Sequence, residues 1–140
     1  MATFNKFNSF VEALAEKTHN LGSDTLKVAL TNTAPAATDT VFAPGGAHPP
    51  PAAANGYATT QATQSSSAQA SGTYKLVVAD VTFTASGGQI GPFRYALLYN
   101  DTAAADEVIG YWDYGSAVTL ADTETFTVDF SATNGVLTLA

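Results

Sequence analysis

Two histidines and two groups of carboxylates are the first candidates for acid–base or metal chemistry in this sequence. His19 lies at the end of a predicted helix, and His48 lies in a segment rich in proline and glycine. There is no cysteine, which excludes a disulfide, a thiolate nucleophile and a cysteine-ligated metal site. A zinc site or a Ser-His-Asp triad needs donors that converge, and two isolated histidines do not predict one. We therefore expect His19 to be a helix-capping or surface residue, and His48 to be structural as well.

The carboxylates cluster in two turn regions, where a calcium ion or an acid–base pair is conceivable. The groups are Asp101, Asp106 and Glu107, and Asp122, Glu124 and Asp129. Neither group has the residue order of an EF-hand loop, and carboxylates beside turns are usually solvated or capping groups. The sequence therefore predicts no catalytic residue, no metal ligand and no cofactor, and we expect a protein that is not an enzyme.

Aromatic residues offer binding chemistry instead. Tyr111, Trp112 and Tyr114 are close enough along the chain to stack on a sugar ring or to anchor a protein interface. In a strand, Trp112 and Tyr114 share one face, which we assign to the core, and Tyr111 lies on the other face as the better interface candidate. Arg94 is predicted to donate to an inter-strand or interfacial ion pair, a role that its forked guanidinium suits.

The charge balance narrows the class of partner. Five basic residues stand against twelve acidic ones, for a net charge of -7, which opposes binding to nucleic acid or to anionic lipid. Only 12% of the residues are charged, while 46% are hydrophobic, so the composition favours a surface that ends up against other proteins. The first residues lack a continuous apolar run, and we expect neither a signal peptide nor a membrane span.

A helical pattern occupies the N-terminal region, 1–22. The apolar residues on its stripe recur at spacings of three, four and seven: Phe4, Phe7, Phe10, Val11, Leu14 and Leu21. Thr3 is the predicted N-cap and Gly22 the stop. The phenylalanine stripe predicts either packing on the sheet or a docking helix for a neighbouring subunit.

Residues 32–72 differ from the rest of the chain, because they hold five of the six prolines and a polar tract rich in Ala, Ser, Thr and Gln. This composition predicts a long extended arm or loop. The run Pro49, Pro50 and Pro51 favours a stiff arm, with a polyproline II ligand as the alternative. We expect a partner surface to hold the arm in place.

Strand patterns fill the remainder. Residues 25–31 predict one strand with a single buried face, and the main strand region, 73–140, predicts several more. At its centre, Phe93, Tyr95, Leu97 and Tyr99 are expected on one side of a strand, and Asn134-Gly135 is expected to turn a hairpin. The chain is thus predicted to be one mainly β domain, 1–140: an antiparallel β-sandwich or jelly-roll-like fold of about seven or eight strands with one amphipathic helix.

Several segments also resemble small virion proteins of tailed bacteriophages. The likeness covers most of the chain outside 35–55, and its motifs are structural. The matching segments are Phe4-Asn5-Lys6-Phe7, Phe10-Val11-Glu12, Leu26-Lys27-Val28-Ala29-Leu30-Thr31-Asn32, Ser71-Gly72-Thr73-Tyr74-Lys75-Leu76, Gly91-Pro92-Phe93-Arg94-Tyr95, Tyr99-Asn100-Asp101 and Gly110-Tyr111-Trp112-Asp113-Tyr114-Gly115.

The resemblance implies a virion structural component, assembled in the cytoplasm of a host bacterium. The preferred role is a capsid decoration (cement) protein outside the head, bound to the major capsid protein or another virion protein, and forming a homo-oligomer, preferably a trimer. Alternatives are a tail, tail-fibre or baseplate protein, or a carbohydrate-binding adhesin. The candidate interface residues are Phe4, Phe7, Phe10, Pro49, Pro50, Pro51, Arg94 and Tyr111.

Overall fold

A computed structural model of the chain describes residues 2–140. Strands account for 43% of the chain and helix for 5%, which confirms the prediction of a mainly β protein. The elements in chain order are β1 (Asn5–Lys6), α1 (Ser9–Ala15), β2 (Leu26–Thr31), β3 (Thr60–Gln61), β4 (Gln64–Ala70), β5 (Thr73–Val78), β6 (Val81–Thr84), β7 (Ile90–Asn100), β8 (Val108–Leu120), β9 (Thr125–Val128) and β10 (Leu137–Leu139).

The strands form three antiparallel sheets. The largest has five strands in the order β1-β8-β7-β2-β3, the second has the order β10-β5-β4, and β6 pairs with β9. No sheet closes into a barrel. One hydrophobic cluster, the main core, contains residues from all three sheets and from α1, including Phe10, Leu30, Leu76, Phe83 and Phe93. The five-stranded sheet therefore directs one face toward the other two sheets.

The opposite face of the five-stranded sheet is also covered. A second cluster there, the outer cluster, joins Phe7, Ala29, Phe42, Leu97, Tyr99 and Val108. Ala29 is fully buried as a result, so the expectation that the first strand would have only one buried face is wrong. The strand prediction itself is confirmed, since 25–31 was expected and Leu26–Thr31 is found.

Phe93, Tyr95, Leu97 and Tyr99 were expected on one side of a strand, but a register shift in β7 places them on two different faces of the sheet. The pairing of β7 with β8 is irregular between Phe93 and Tyr95. Phe93 consequently lies in the main core, whereas Tyr95, Leu97 and Tyr99 contact the outer cluster. An extra residue in one strand reverses every side chain after it, which a strict alternation of apolar residues cannot reveal.

The helix is shorter than the predicted region 1–22, of which Met1 lies outside the described residues. It covers Ser9–Ala15 with Asn8, rather than Thr3, at the N-cap position. Asn5 and Lys6 instead pair with Tyr111 and Gly110 of β8. The strand pairing competes with helix propensity here and places Phe7 in the outer cluster and Phe10 in the main core.

The predicted arm, 32–72, is also only partly extended loop. Its last third forms β3 and β4, because Ser71 and Gly72 both have positive φ and make a two-residue turn that pairs β4 with β5. The preceding residues, 32–59, pack on the chain's own sheet. Val41 bridges Glu107, and Thr31 Oγ1 donates to the carbonyl of Pro49 at 2.8 Å. Contacts within the chain therefore hold this covering segment (32–59).

The last strands differ from the expected hairpin at Asn134-Gly135. β9 pairs with β6 and β10 pairs with β5, so the two strands belong to different sheets. Gly135 allows the backbone to pass close to β5. Its φ is 75°, and a β-carbon there would lie 2.5 Å from the carbonyl oxygen of Leu76.

Candidate functional site

An open groove lies beside the strands β7, β8 and β9 and the segment that leads to β10. Its volume is about 550 Å³. Seven aromatic residues line it, and we call it the aromatic groove: Phe4, Phe93, Tyr95, Trp112, Tyr114, Phe126 and Phe130. Concave sites rich in aromatic groups with a few polar groups are typical of binding surfaces.

The aromatic rings in the groove contact one another edge to face or at a tilt. The Trp112 ring centroid lies 5.2 Å from that of Phe4 and 5.3 Å from that of Phe130. The Phe126 centroid lies 4.9 Å from that of Phe93 and 5.5 Å from that of Tyr114. Such contacts fix the rings before any ligand arrives, which lowers the entropy cost of binding.

β8 explains how two of these residues reach the groove. Trp112 and Tyr114 lie two positions apart and so share a face, as predicted. Trp112 packs against the main core, but Tyr114 is 58% exposed, so the assignment of Tyr114 to the core is wrong. The physical reason is the irregular pairing of β7 with β8, in which Tyr95 opposes Asp113 and Phe93 opposes Val118, so residues 114–117 bulge into solvent.

An ion pair stands at the rim of the groove. Arg94 Nε donates to Asp113 Oδ1 at 2.7 Å and Arg94 Nη2 to Asp113 Oδ2 at 2.8 Å, which makes the bidentate inter-strand pair that was predicted for Arg94. The hydrogen bond from Arg94 lowers the pKa of Asp113, assisted by the Gly115 amide, and the same bond raises the pKa of Arg94. The guanidinium also lies 5.3 Å from the Tyr95 ring centroid. The pair holds a charged group of fixed geometry next to an apolar surface.

The remaining candidate interface residues are distributed over the molecule. Phe4 lines the groove and Arg94 stands at its rim. Phe7, Phe10 and Pro51 are buried, Pro50 is half-buried and Pro49 is exposed. Tyr111 lies against Phe7, with 5.1 Å between ring centroids, and is half-buried over the outer cluster.

Tyr114 was noted from the sequence with Tyr111 and Trp112 but was assigned to the core. Phe126 and Phe130 are groove residues that the sequence did not identify. Their alternation marks strands but does not say which sheet edge remains uncovered.

The two histidines are buried. His48 is fully buried: its Nε2 lies 2.9 Å from Asp39 Oδ2, and its Nδ1 accepts from the Ala43 amide at 3.2 Å. These contacts hold the covering segment in its turn, and the ring is not at the surface.

His19 is 4% exposed, so its assignment as a helix-capping or surface residue is wrong. The helix ends at Ala15, before His19 is reached, and the following turns bring the ring to Phe10 and Asn100. His19 Nδ1 is 3.1 Å from Asn100 Nδ2, which also donates to Asp24 Oδ2 at 2.7 Å. Burial lowers the pKa of His19, against the smaller opposing effects of Glu107 and Asp24.

The acidic groups do not converge. Asp101 pairs with Lys27 at 2.9 Å, and within residues 2–140 no three His, Cys, Asp or Glu side chains come together as a metal site requires. In the same part of the chain, no helix has the length and apolar character of a membrane span.

Comparison with known proteins adds no relative: no family model, curated protein or solved structure matches the chain. The aromatic groove therefore stands on its geometry alone.

Proposed function

We propose that the protein is a non-enzymatic bacteriophage virion structural protein, most specifically a capsid decoration (cement) protein that binds the outside of the head. The aromatic groove is the observation that carries this proposal. A fixed set of aromatic rings beside a charged Arg94–Asp113 pair has the make-up of protein-binding hot spots, which are enriched in Trp, Tyr and Arg. The resemblance to small virion proteins supplies the virion as the location.

The mechanism of stabilisation is thermodynamic linkage. A subunit that bridges neighbouring capsomers binds only the assembled shell and so lowers the free energy of that shell. The proposed partner is the major capsid protein or another virion protein. The net charge of -7 suits a basic patch on that partner. Self-association, preferably as a trimer, multiplies the contacts with the shell.

The fold serves this role as a rigid body. We propose that the five-stranded sheet and the two smaller sheets form a β-sandwich-like arrangement around the main core, with the groove at its open side. The support is that one hydrophobic cluster contains residues of all three sheets.

A binding experiment with purified heads tests the proposal. The wild-type protein is mixed with expanded heads, and the bound fraction is measured by sedimentation together with the melting temperature of the heads. We expect saturable binding, a raised melting temperature, and a loss of at least about tenfold in affinity for Tyr114→Ala, as for a hot-spot aromatic residue. Thr84→Ala on the exposed face of β6 is the control and should bind as the wild type does.

The proposal is contradicted if the heads do not bind the wild-type protein, or if they bind Tyr114→Ala and the wild type with equal affinity. Density for the protein on the tail of an intact virion would move it to the alternative tail or baseplate role.

Saccharide binding is the second candidate, and it is favoured by a specific observation. Trp112 and Tyr114 present ring surfaces in an open groove that also contains the polar residues Asp129 and Asn134. Aromatic faces with adjacent hydrogen-bonding groups suit the apolar face and the hydroxyl groups of a sugar. The lone tryptophan gives a direct readout: titration with host surface glycans should change Trp112 emission. Unchanged emission, together with a silent glycan array, would remove this candidate.

A further inference from the structure

β4 is the longest edge strand of the molecule within residues 2–140. It has seven residues, whereas the edge strands β1, β3 and β10 have two, two and three, and β6 and β9, the two edges of their sheet, have four each. β5 occupies one side of β4, and the sheet ends on the other side. All residues of β4 after Gln64 are exposed.

The register of the β4–β5 hairpin identifies the free backbone groups. A two-residue turn makes Ala70 and Thr73 a hydrogen-bonded pair, and such pairs alternate along an antiparallel ladder. Ala68 with Lys75 is therefore the next bonded pair, and the N–H and C=O groups of Ser67 and Gln69 point away from β5. The bonds that the chain makes outside its sheets include none to the backbone of Ser67 or Gln69.

Charged side chains, proline and a short length, which commonly protect an exposed edge, are missing from β4. Natural sheets block their edges with charged side chains, with proline or with very short strands. Residues 40–74 contain no Asp, Glu, Lys or Arg, and no proline occurs between Pro51 and Pro92. A register shift between Gln64 and Ser66 disturbs only the start of the strand.

We propose that β4 pairs with β4 of a second copy of this chain, antiparallel and with Ala68 at the twofold axis. In this register Ser67 of each copy lies opposite Gln69 of the other. The two outward-facing residues of each strand then supply roughly four backbone hydrogen bonds. The contact is isologous, so it joins single molecules, or the trimers proposed above, in pairs, and it joins two three-stranded sheets into one of six strands.

The side chains favour a second copy over a charged partner strand. Ala68 lies opposite Ala68 and Ser66 opposite Ala70, so small neutral groups meet throughout. Elsewhere the chain is acidic, with a net charge of -7, and two copies repel each other at long range. Because salt screens that repulsion while β4 itself has no charge, the pairing becomes tighter as ionic strength rises.

Ala68→Glu tests the pairing in the full chain. Ala68 faces Lys75 across the β4–β5 ladder, so a glutamate there gains an opposite charge within one molecule. At the twofold axis it places two carboxylates directly opposite each other. Ala53→Glu, at an exposed position outside β4, adds the same charge as a matched control.

Sedimentation equilibrium and amide exchange read out the result. We expect wild type and Ala53→Glu to dimerise alike, more tightly in higher salt, and Ala68→Glu to dimerise at least about tenfold more weakly. In the wild type, exchange of the Ser67 and Gln69 amides should slow when the protein is concentrated, a readout that needs no variant.

A wild-type protein that stays monomeric at high micromolar concentration overturns the pairing. So does any oligomer, a trimer included, in which these two amides exchange equally fast in dilute and concentrated samples. Slowed exchange upon addition of an unrelated extended peptide, but not upon concentration, would assign β4 to a different partner strand. None of these outcomes depends on binding to heads.

Discussion

Phe4 lies directly on Gly110, and a β-carbon at Gly110 would overlap the Phe4 ring. The same ring contacts Trp112, so a single glycine allows the N-terminal strand to enter the aromatic groove. Lys6 pairs with Gly110 in the β1–β8 ladder, and the contact therefore also fixes the register of β1.

Gly110→Ala should displace Phe4 and loosen β1. We expect a loss of about 1–3 kcal/mol in the free energy of unfolding, as for overpacking in a filled site, together with a shift in the emission of the lone tryptophan, Trp112. Urea denaturation followed by fluorescence measures both. Gly45→Ala is the control, since a β-carbon at Gly45 meets nothing within 4 Å. Equal stability of the two variants would contradict the overlap.

Phe42 anchors the covering segment. It is 7% exposed, and its ring stacks on Tyr99 with 4.6 Å between centroids. Phe42→Ala should cost about 3–5 kcal/mol, the range for truncating a buried phenylalanine, and should make residues 32–59 sensitive to a non-specific protease. Tyr114→Ala removes an exposed aromatic residue and should leave this segment resistant. A detached arm would instead be cleaved readily in the wild type.

Tyr57 ties the end of the same segment to the middle of β2. Its hydroxyl accepts from the Leu30 amide at 3.0 Å and lies 3.4 Å from the Leu30 carbonyl oxygen, and burial raises its pKa to about 12. Tyr57→Phe leaves a buried N–H without a partner, which should cost about 1–3 kcal/mol. Tyr114→Phe, at an exposed site, should cost almost nothing. Chemical denaturation of both variants makes the comparison, and equal losses would contradict the buried bond.

His19 should make stability depend on pH. Its pKa is lowered in the folded protein, so the unfolded chain binds a proton more readily, and the free energy of unfolding decreases as the pH falls below about 6.5. Well above that pH the ring is neutral in both the folded and the unfolded state, so His19 adds no pH dependence there. Denaturation between pH 7.5 and pH 5.5 should show a smaller loss for His19→Gln than for the wild type. Identical pH profiles would show that His19 takes up its proton equally well in both states.

Local sequence patterns predicted the positions of the strands better than they predicted which strands pair with each other. The alternation in 25–31 located β2, because burial of Leu26, Val28 and Leu30 depends only on the strand period. The helix prediction was wrong around Phe4. Pairing of the next two residues with β8, a contact between distant parts of the chain, overrides helix propensity there. The prediction of a loop for the polar tract was wrong because Ser71-Gly72 turns the chain back, so that the tract pairs with β5.

The aromatic groove was less accessible to prediction than the fold. Phe4 and Arg94 were identified as candidate interface residues. The exposure of Tyr114, however, follows from an irregular pairing of β7 with β8 that no residue type predicts. Phe126 and Phe130 reach the groove because β9 pairs with β6 rather than with β10. Both facts are properties of the sheet topology and not of any local segment.

The β1–β8 pairing also has a consequence for the order of folding during synthesis. Asn5 emerges from the ribosome well before its partner Tyr111, because the two lie far apart in the sequence. Contacts between distant positions close slowly because the intervening loop must first be ordered. Phe4 and Phe7 therefore stay uncovered while the residues between Asn5 and Tyr111 are synthesised, and the segment around these two phenylalanines is where a chaperone would gain most by binding.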